Sequence, residues 1–297
     1  MNTIIMVILT IIVLGSAPMV FADSEVEKKL EFAGTLEETL GHFWALEMNL
    51  DENNSKLALV HATHPISELY DTMSVHLKDN PDFDQKLEQT LLELQDKANT
   101  EVTREQAQLA IDNAKDIIQE AREIVVGITL SNESQFKMQL INGLLETSKT
   151  EYKEAVVDGI IEEMAEFQDG SAFVWQSQQI FHSIENDLDL TDSGRINERY
   201  DQVWSDFDNR ANPKDVSDSI DAVIHEFEEL SGIESVQSDH ESEYLASLPP
   251  LKQIKEGVAP EDIQCKSSME LVFKSSGAPA CVKSSSVQKL VNWGWSQ

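Results

Sequence analysis

His61-Ala62-Thr63-His64-Pro65-Ile66-Ser67-Glu68 is the segment of this chain best equipped for chemistry. Imidazole nitrogens and a carboxylate are ligands for borderline divalent ions, and these three sit within eight residues. On a continuous helix, positions 57, 60, 61, 64 and 68 share one stripe. Leu57 and Val60 mark that stripe as core-facing, which predicts that His61, His64 and Glu68 point inward and hold zinc, copper or iron. His42, Glu47 and Tyr70 are the candidates to complete the ligand set. Pro65 works against a continuous helix, because its ring disfavours helical backbone at His64 and suits the start of a new helix. The same residues therefore also fit an interior hydrogen-bonded histidine pair, or His64 as a cap at a kink. A metal would need neutral imidazole, so its affinity should fall as pH drops through ~6.5.

Three further histidines stand three residues before an acid: His182/Glu185, His225/Glu228 and His240/Glu243. In a chain this acidic such pairs read as surface ion pairs. Asp187 to Glu198 invites a calcium-loop reading, with Asp187, Asp189 and Glu198 as candidate ligands. Counted from Asp187, the acid at position 12 is present but the glycine at position 6 is not; counted from Asp189, Gly194 is in place but Tyr200 occupies position 12. A helix-connecting turn fits better. His225-Glu226-Phe227-Glu228-Glu229 fails the His-Glu-x-x-His pattern at its fifth place. Neither a Gly-rich phosphate loop nor a Gly-x-Ser-x-Gly elbow occurs, so a non-enzymatic binding protein is expected.

The elements that must position these residues read as helices. Val216, Ile220, Val223, Ile224, Phe227 and Leu230 recur at helical spacing after Asn212-Pro213 and before Gly232, a capped amphipathic helix. Leu36, Leu40, Phe43 and Trp44 make a second stripe, Leu87, Leu91 and Leu94 a third, and Tyr152, Val156, Ile160, Met164 and Phe167 a fourth. Seven to nine helices are expected, without strands in the body. Leu91–Asn99 and Trp204–Asn212 are similar at an offset of 113, each followed by an amphipathic segment with Ile-Asp and ending near a glycine, Gly127 or Gly232. The expected fold is all-α: a duplicated multi-helix bundle over residues 23–232, with halves at about 23–127 and 128–232. Residues 233–247 read as a Ser- and acid-rich linker. Residues 248–297 read as a small α+β tail, with a hairpin around Ser275–Pro279 and a short closing helix from Ser284.

The chain has 297 residues, 54 acids, 22 lysines and arginines, and a net charge of −32. The tail is slightly basic, so the excess negative charge lies in the body. Such a field opposes nucleic acid and anionic lipid and favours cations, so the expected partners are cations or a protein of the cell envelope. Met1 to Ala22 holds no charged side chain, with an apolar run from Ile4 to Leu14 and a Val20-Phe21-Ala22 cleavage pattern. A secretory signal peptide is expected, with the mature chain starting near Asp23 and lying outside the cell or on its surface. The alternative is an N-terminal anchor through Thr3–Phe21, which would be the chain's one membrane contact. Cys265 and Cys281 are the two cysteines, and in an exported protein they should pair, stabilising the tail by roughly 3 kcal/mol.

Pro250-Leu251-Lys252-Gln253, Gly257, Cys265-Lys266, Leu271-Val272, Pro279-Ala280-Cys281-Val282-Lys283, Leu290 and Gly294-Trp295 resemble a C-terminal module of exported proteins of ammonia-oxidising archaea, with Trp293 where that module carries a basic residue. Asn209-Arg210-Ala211-Asn212-Pro213, Val223-Ile224-His225-Glu226 and His61–Tyr70 resemble, more loosely, the extracytoplasmic helical region attached to some iron permeases. The resemblance implies an exported helical domain. The permease's membrane helices have no counterpart in it, so transport is not among the expectations.

Overall fold

The computed structural model describes residues 19–100 and 102–232 and, in the C-terminal part, residues 250, 253, 258–260, 263, 265, 269–274, 277, 279–283, 287, 290, 291, 295 and 296. Most of the predicted export segment and all of the predicted linker lie outside the described residues. The chain divides into two compact units after Gly232.

Among its described residues the first unit is helical apart from one tiny hairpin. Its N-terminal half consists of α1 (Met19–Asp51), α2 (Ser55–His64), a π-helical turn (Pro65–Leu69), α3 (Tyr70–His76), α4 (Pro81–Ala98) and α5 (Arg104–Val125). A four-residue helix, α6 (Ile128–Ser131), leads to the other half: α7 (Ser134–Ala155), α8 (Met164–Ile184), α9 (Leu190–Asp208) and α10 (Pro213–Ser231). Caps explain several of these limits. Thr103 and Gln106 form a reciprocal capping box at α5, the Asn212 side chain accepts from Lys214 N–H at α10, and Gly232 closes α10 in the left-handed region.

Both halves follow one order. Two long helical segments (α1 with α2–α3, α7 with α8) are followed by a packed helix pair (α4 with α5, α9 with α10). Leu87 and Leu94 on α4 are buried, as are their counterparts Tyr200 and Phe207 on α9, while Leu91 is buried and its counterpart Trp204 only half-buried. The copies differ at the turn. Asn99 keeps helical backbone and Thr103 caps the next helix, whereas Asn212 is itself extended and caps α10 directly.

Two local expectations need correction. The stripe from Tyr152 to Phe167 is not one helix: α7 ends at Ala155, and β1 (Val156–Val157) pairs antiparallel with β2 (Ile160–Ile161) before α8 begins. Asp158 and Gly159 both have positive φ, 52° and 75°, the backbone of a two-residue hairpin turn, which a helix cannot contain. Pro65 does not break the path from α2 to α3 either. His64 and Tyr70 keep helical backbone, and the π-helical turn between them accommodates the proline, which can neither donate to the turn before it nor fit against it.

The second unit holds an antiparallel pair, β3 (Met269–Phe273) with β4 (Pro279–Lys283). Phe273 also bridges to Ser296, and Val287, Leu290 and Val291 are helical. Cys265 and Cys281 form a disulfide with Cα atoms 5.6 Å apart, tying β4 to the preceding segment. Val272 and Val287 supply buried apolar side chains.

Candidate metal centre

The centre forms where α1, α2 and α8 meet. On α2 the buried residues are Ala58, His61 and Ala62, continued by Pro65 in the π-helical turn. Leu57 and Val60 are only half-buried, so the inward face is turned by about one residue from the expected stripe. His61 is completely buried and the His64 side chain is 12 % exposed. On α1, Gly41 brings Phe173 of α8 so close that a Cβ at 41 would stand 2.9 Å from its ring, and the adjacent His42 packs edge-on to that ring. On α8, Gly170 allows close approach to α7: a Cβ there would lie 3.3 Å from the Ser148 carbonyl, and the Ser148 hydroxyl donates to the Gly170 carbonyl at 2.8 Å. These two glycines set the helix spacings around Asp169.

His42, His61, His64 and Asp169 each present one ligand atom, and these atoms all lie within 4.8 Å of one another. Three Nδ1 atoms face the Asp169 carboxylate. His42 is at 2.7 Å and His61 at 3.0 Å from Oδ1, and His64 is at 3.0 Å from Oδ2. Only the His61 contact has hydrogen-bond geometry; the buried Nδ1 atoms of His42 and His64 are without a hydrogen-bond partner. Buried polar nitrogens are normally satisfied, and these two converge on one carboxylate without bonding to it, an arrangement that could hold a metal ion.

The electrostatics fit an ionised acid surrounded by bases. Burial alone would push the Asp169 carboxyl up, but the charge of His42 and the contacts with all three rings hold it far below the usual range. Burial opposes charge on His64, yet contact with Asp169, and then the fields of Glu68 and Glu166, leave its pKa raised. The surroundings are acidic. Glu151 is pushed up first by burial, then by a hydrogen bond with Glu166 and the charges of Glu166, Asp169 and Glu154.

The other sequence candidates lie elsewhere. Glu68 is 58 % exposed, with Oε1 3.7 Å from Nε2 of His64, the ring nitrogen that does not face Asp169. The π-helical turn accounts for this: its wider coil rotates the residues that follow, so position 68 leaves the face that a regular α-helix would give it. Glu47 is held by Arg104 at 2.8 Å and Lys115 at 2.6 Å, and the Tyr70 hydroxyl donates to Asp84 at 3.1 Å. The calcium-loop acids do not form a loop. Asp187 ends a short 3₁₀ turn and accepts from Ser134, Asp189 precedes α9, and Glu198 lies within that helix. His182 pairs with Glu185 at the surface, and His225 lies 3.4 Å from Glu229. His240 is outside the described residues. Asp169 escaped the sequence reading. Its signal was an acid at helical spacing from Ala172, Phe173 and Ile180, a charge on an apolar face.

No curated protein and no solved structure matches the chain. A family model described as the iron permease-associated 4-helix bundle domain matches residues 129–234, the segment that spans α7 to α10 and includes Asp169 but none of the three histidines. The second half of the bundle is thus similar to that iron permease-associated domain, and the first half brings the imidazoles to it.

Proposed function

We propose that this protein binds a divalent transition metal ion in the helical bundle through His42, His61, His64 and Asp169, and that its role is to hold or hand on the ion rather than to catalyse a reaction. The observation that carries this reading is the convergence of three Nδ1 atoms on one buried carboxylate, two of them without hydrogen-bond partners. A three-nitrogen, one-oxygen set suits zinc, copper(II) or iron(II) better than magnesium or calcium, and it offers no sulfur for copper(I). Four protein donors would fill a tetrahedral ion, the closed arrangement of a holding site rather than the open one of a catalytic zinc. Similarity to an iron permease-associated domain supports a metal-related role, with a membrane permease or another envelope protein as partner. The uncharged segment Met1–Ala22 supports placement of the mature chain at the cell surface, where the acidic body would raise the local concentration of cations.

The test is metal analysis of protein purified from defined medium, followed by calorimetric titration with Zn²⁺, Cu²⁺ and Fe²⁺. One ion per chain, lost in His61→Ala and His64→Ala and kept in His240→Ala, is the expected result. No binding, or binding that survives removal of both rings, would overturn the reading and leave the cluster as a structural ion pair in an interaction module.

A further inference from the structure

Behind His61 lies a chain of amides whose orientation is set from one end. Asn49 on α1 is buried, and its Nδ2 lies 2.8 Å from the carbonyl oxygen of Ala45 and 2.9 Å from Oε1 of Gln168. A backbone carbonyl can only accept, so the NH2 end of Asn49 must face Ala45. Its second N–H then points at Gln168, which must present oxygen. This agrees with the reciprocal contact, Gln168 Nε2 to Asn49 Oδ1, at 3.4 Å. The same Gln168 Oε1 lies 2.8 Å from Nε2 of His61. An oxygen that already accepts from Asn49 has only lone pairs to offer the ring, so the His61 Nε2 must carry a hydrogen.

We infer that Gln168, oriented by Asn49, is a positioning residue that keeps the hydrogen on Nε2 of His61, so that Nδ1, which donates to Asp169 when no ion is present, is the ring atom that gives up its hydrogen and turns its lone pair to the metal. The inference rests on the metal reading above for the identity of the ligand, but the direction of the hydrogen bonds stands on the amide chain alone. Histidine ligands are commonly fixed in this way by an acceptor behind the ring, and loss of that acceptor typically costs about 10–100-fold in metal affinity. Gln168 precedes Asp169 on α8, so one helix supplies both the carboxylate and the group that aims the ring opposite it.

The experiment combines long-range ¹H–¹⁵N spectroscopy of the histidine rings with Zn²⁺ titration of the wild type, Gln168→Leu and Gln168→Glu. In the zinc-bound wild type His61 should show the Nε2–H tautomer, and without zinc Nε2 should still carry its hydrogen. Gln168→Leu should mix the tautomers and weaken Zn²⁺ binding by about 10–100-fold. Gln168→Glu, which keeps an acceptor oxygen in place, should restore the tautomer and most of the affinity. A role in packing alone would not separate these two variants. A wild-type His61 ring whose Nε2 carries no hydrogen, or undiminished zinc affinity in Gln168→Leu, overturns the inference even where zinc binds. An Nε2–H ring in a wild type that binds no zinc retains the positioning and rejects the metal reading instead.

Discussion

Asp169 and Glu37 are carboxylates buried to nearly the same degree in the same helix interface, yet the bundle treats them differently. Glu37 on α1 accepts from Arg122 of α5 at 2.6 Å and from Gln176 of α8 at 2.6 Å, so each oxygen has a donor that cannot leave. Asp169 on α8 faces three imidazoles instead. An arginine stays charged at any physiological pH and presents no lone pair, so the Glu37 cluster is closed to other cations. Histidine can release its proton and then offer a lone pair, which under the proposed function would let the Asp169 cluster exchange protons for a metal ion. A third acid, Glu38, makes no salt bridge among the described residues: burial, opposed by a hydrogen bond from Thr147, pushes it up to about 7, so it tends to keep its own proton. Two layers of one interface therefore differ in the choice of base, a guanidinium in one and imidazoles in the other.

The contrast can be broken most forcefully at Arg122. Arg122→Leu should destabilise the bundle by about 3–5 kcal/mol, because Glu37 would remain buried without its charge partner. Chemical denaturation measures this, and metal affinity per folded molecule should hardly change. A variant as stable as the wild type would show that Glu37 does not need its arginine.

Asp169→Asn should have the opposite profile. Zinc affinity should fall by more than the ~10–100-fold expected for a group that only supports a ligand. Calorimetry would read the loss, and an unchanged affinity would remove Asp169 from the ligand set.

Acid should act on the two layers unequally. Because His64 has a raised pKa, protons compete with the ion already above pH 6.5. Affinity should therefore drop at least about tenfold between pH 7.5 and 5.5. The Arg122–Glu37 pair should persist over that range, and a flat affinity profile would exclude imidazole ligands.

Glu38→Gln should have a smaller effect, on stability alone. An acid whose pKa is raised by folding loses stability as pH rises from its ordinary value near 4.5 through its folded value of about 7. The variant lacks this loss, so it should gain about 1–2 kcal/mol relative to the wild type at pH 8 and little at pH 4. Equal gains at both pH values would contradict a protonated Glu38. The smallest effect belongs to Glu68→Gln. Its exposed carboxylate lies behind His64 and acts through solvent, so zinc affinity should fall less than about threefold.

The similarity to the iron permease-associated domain has a bearing on this contrast. The match at 129–234 takes in Asp169 and Gln176 but neither the imidazoles nor Glu37 and Arg122. What distinguishes the two layers, histidine in one and arginine in the other, thus comes from the half outside the match.

Much of the architecture was legible from the residues. Helical spacing, the Asn212-Pro213 start, the Gly232 stop, the repeated Ala-Asn hairpins and the cysteine pair are local signals, and each rests on interactions within a few turns or on covalent chemistry. The stripe across Asp158-Gly159 misled, because apolar spacing continued through a turn that only left-handed backbone could make. Of the centre, the residue types and the inward turn of His61 and His64 could be read from their own helix. Two outcomes could not. The π-helical turn that carries Glu68 away depends on how the chain absorbs Pro65 while remaining packed. His42 was a candidate by type, but its meeting with α2 and with Asp169, more than a hundred residues further on, depends on helices meeting at Gly41 and Gly170. Periodicity specifies which face of a helix seeks the core; which residue it meets there is decided when three helices share one interior.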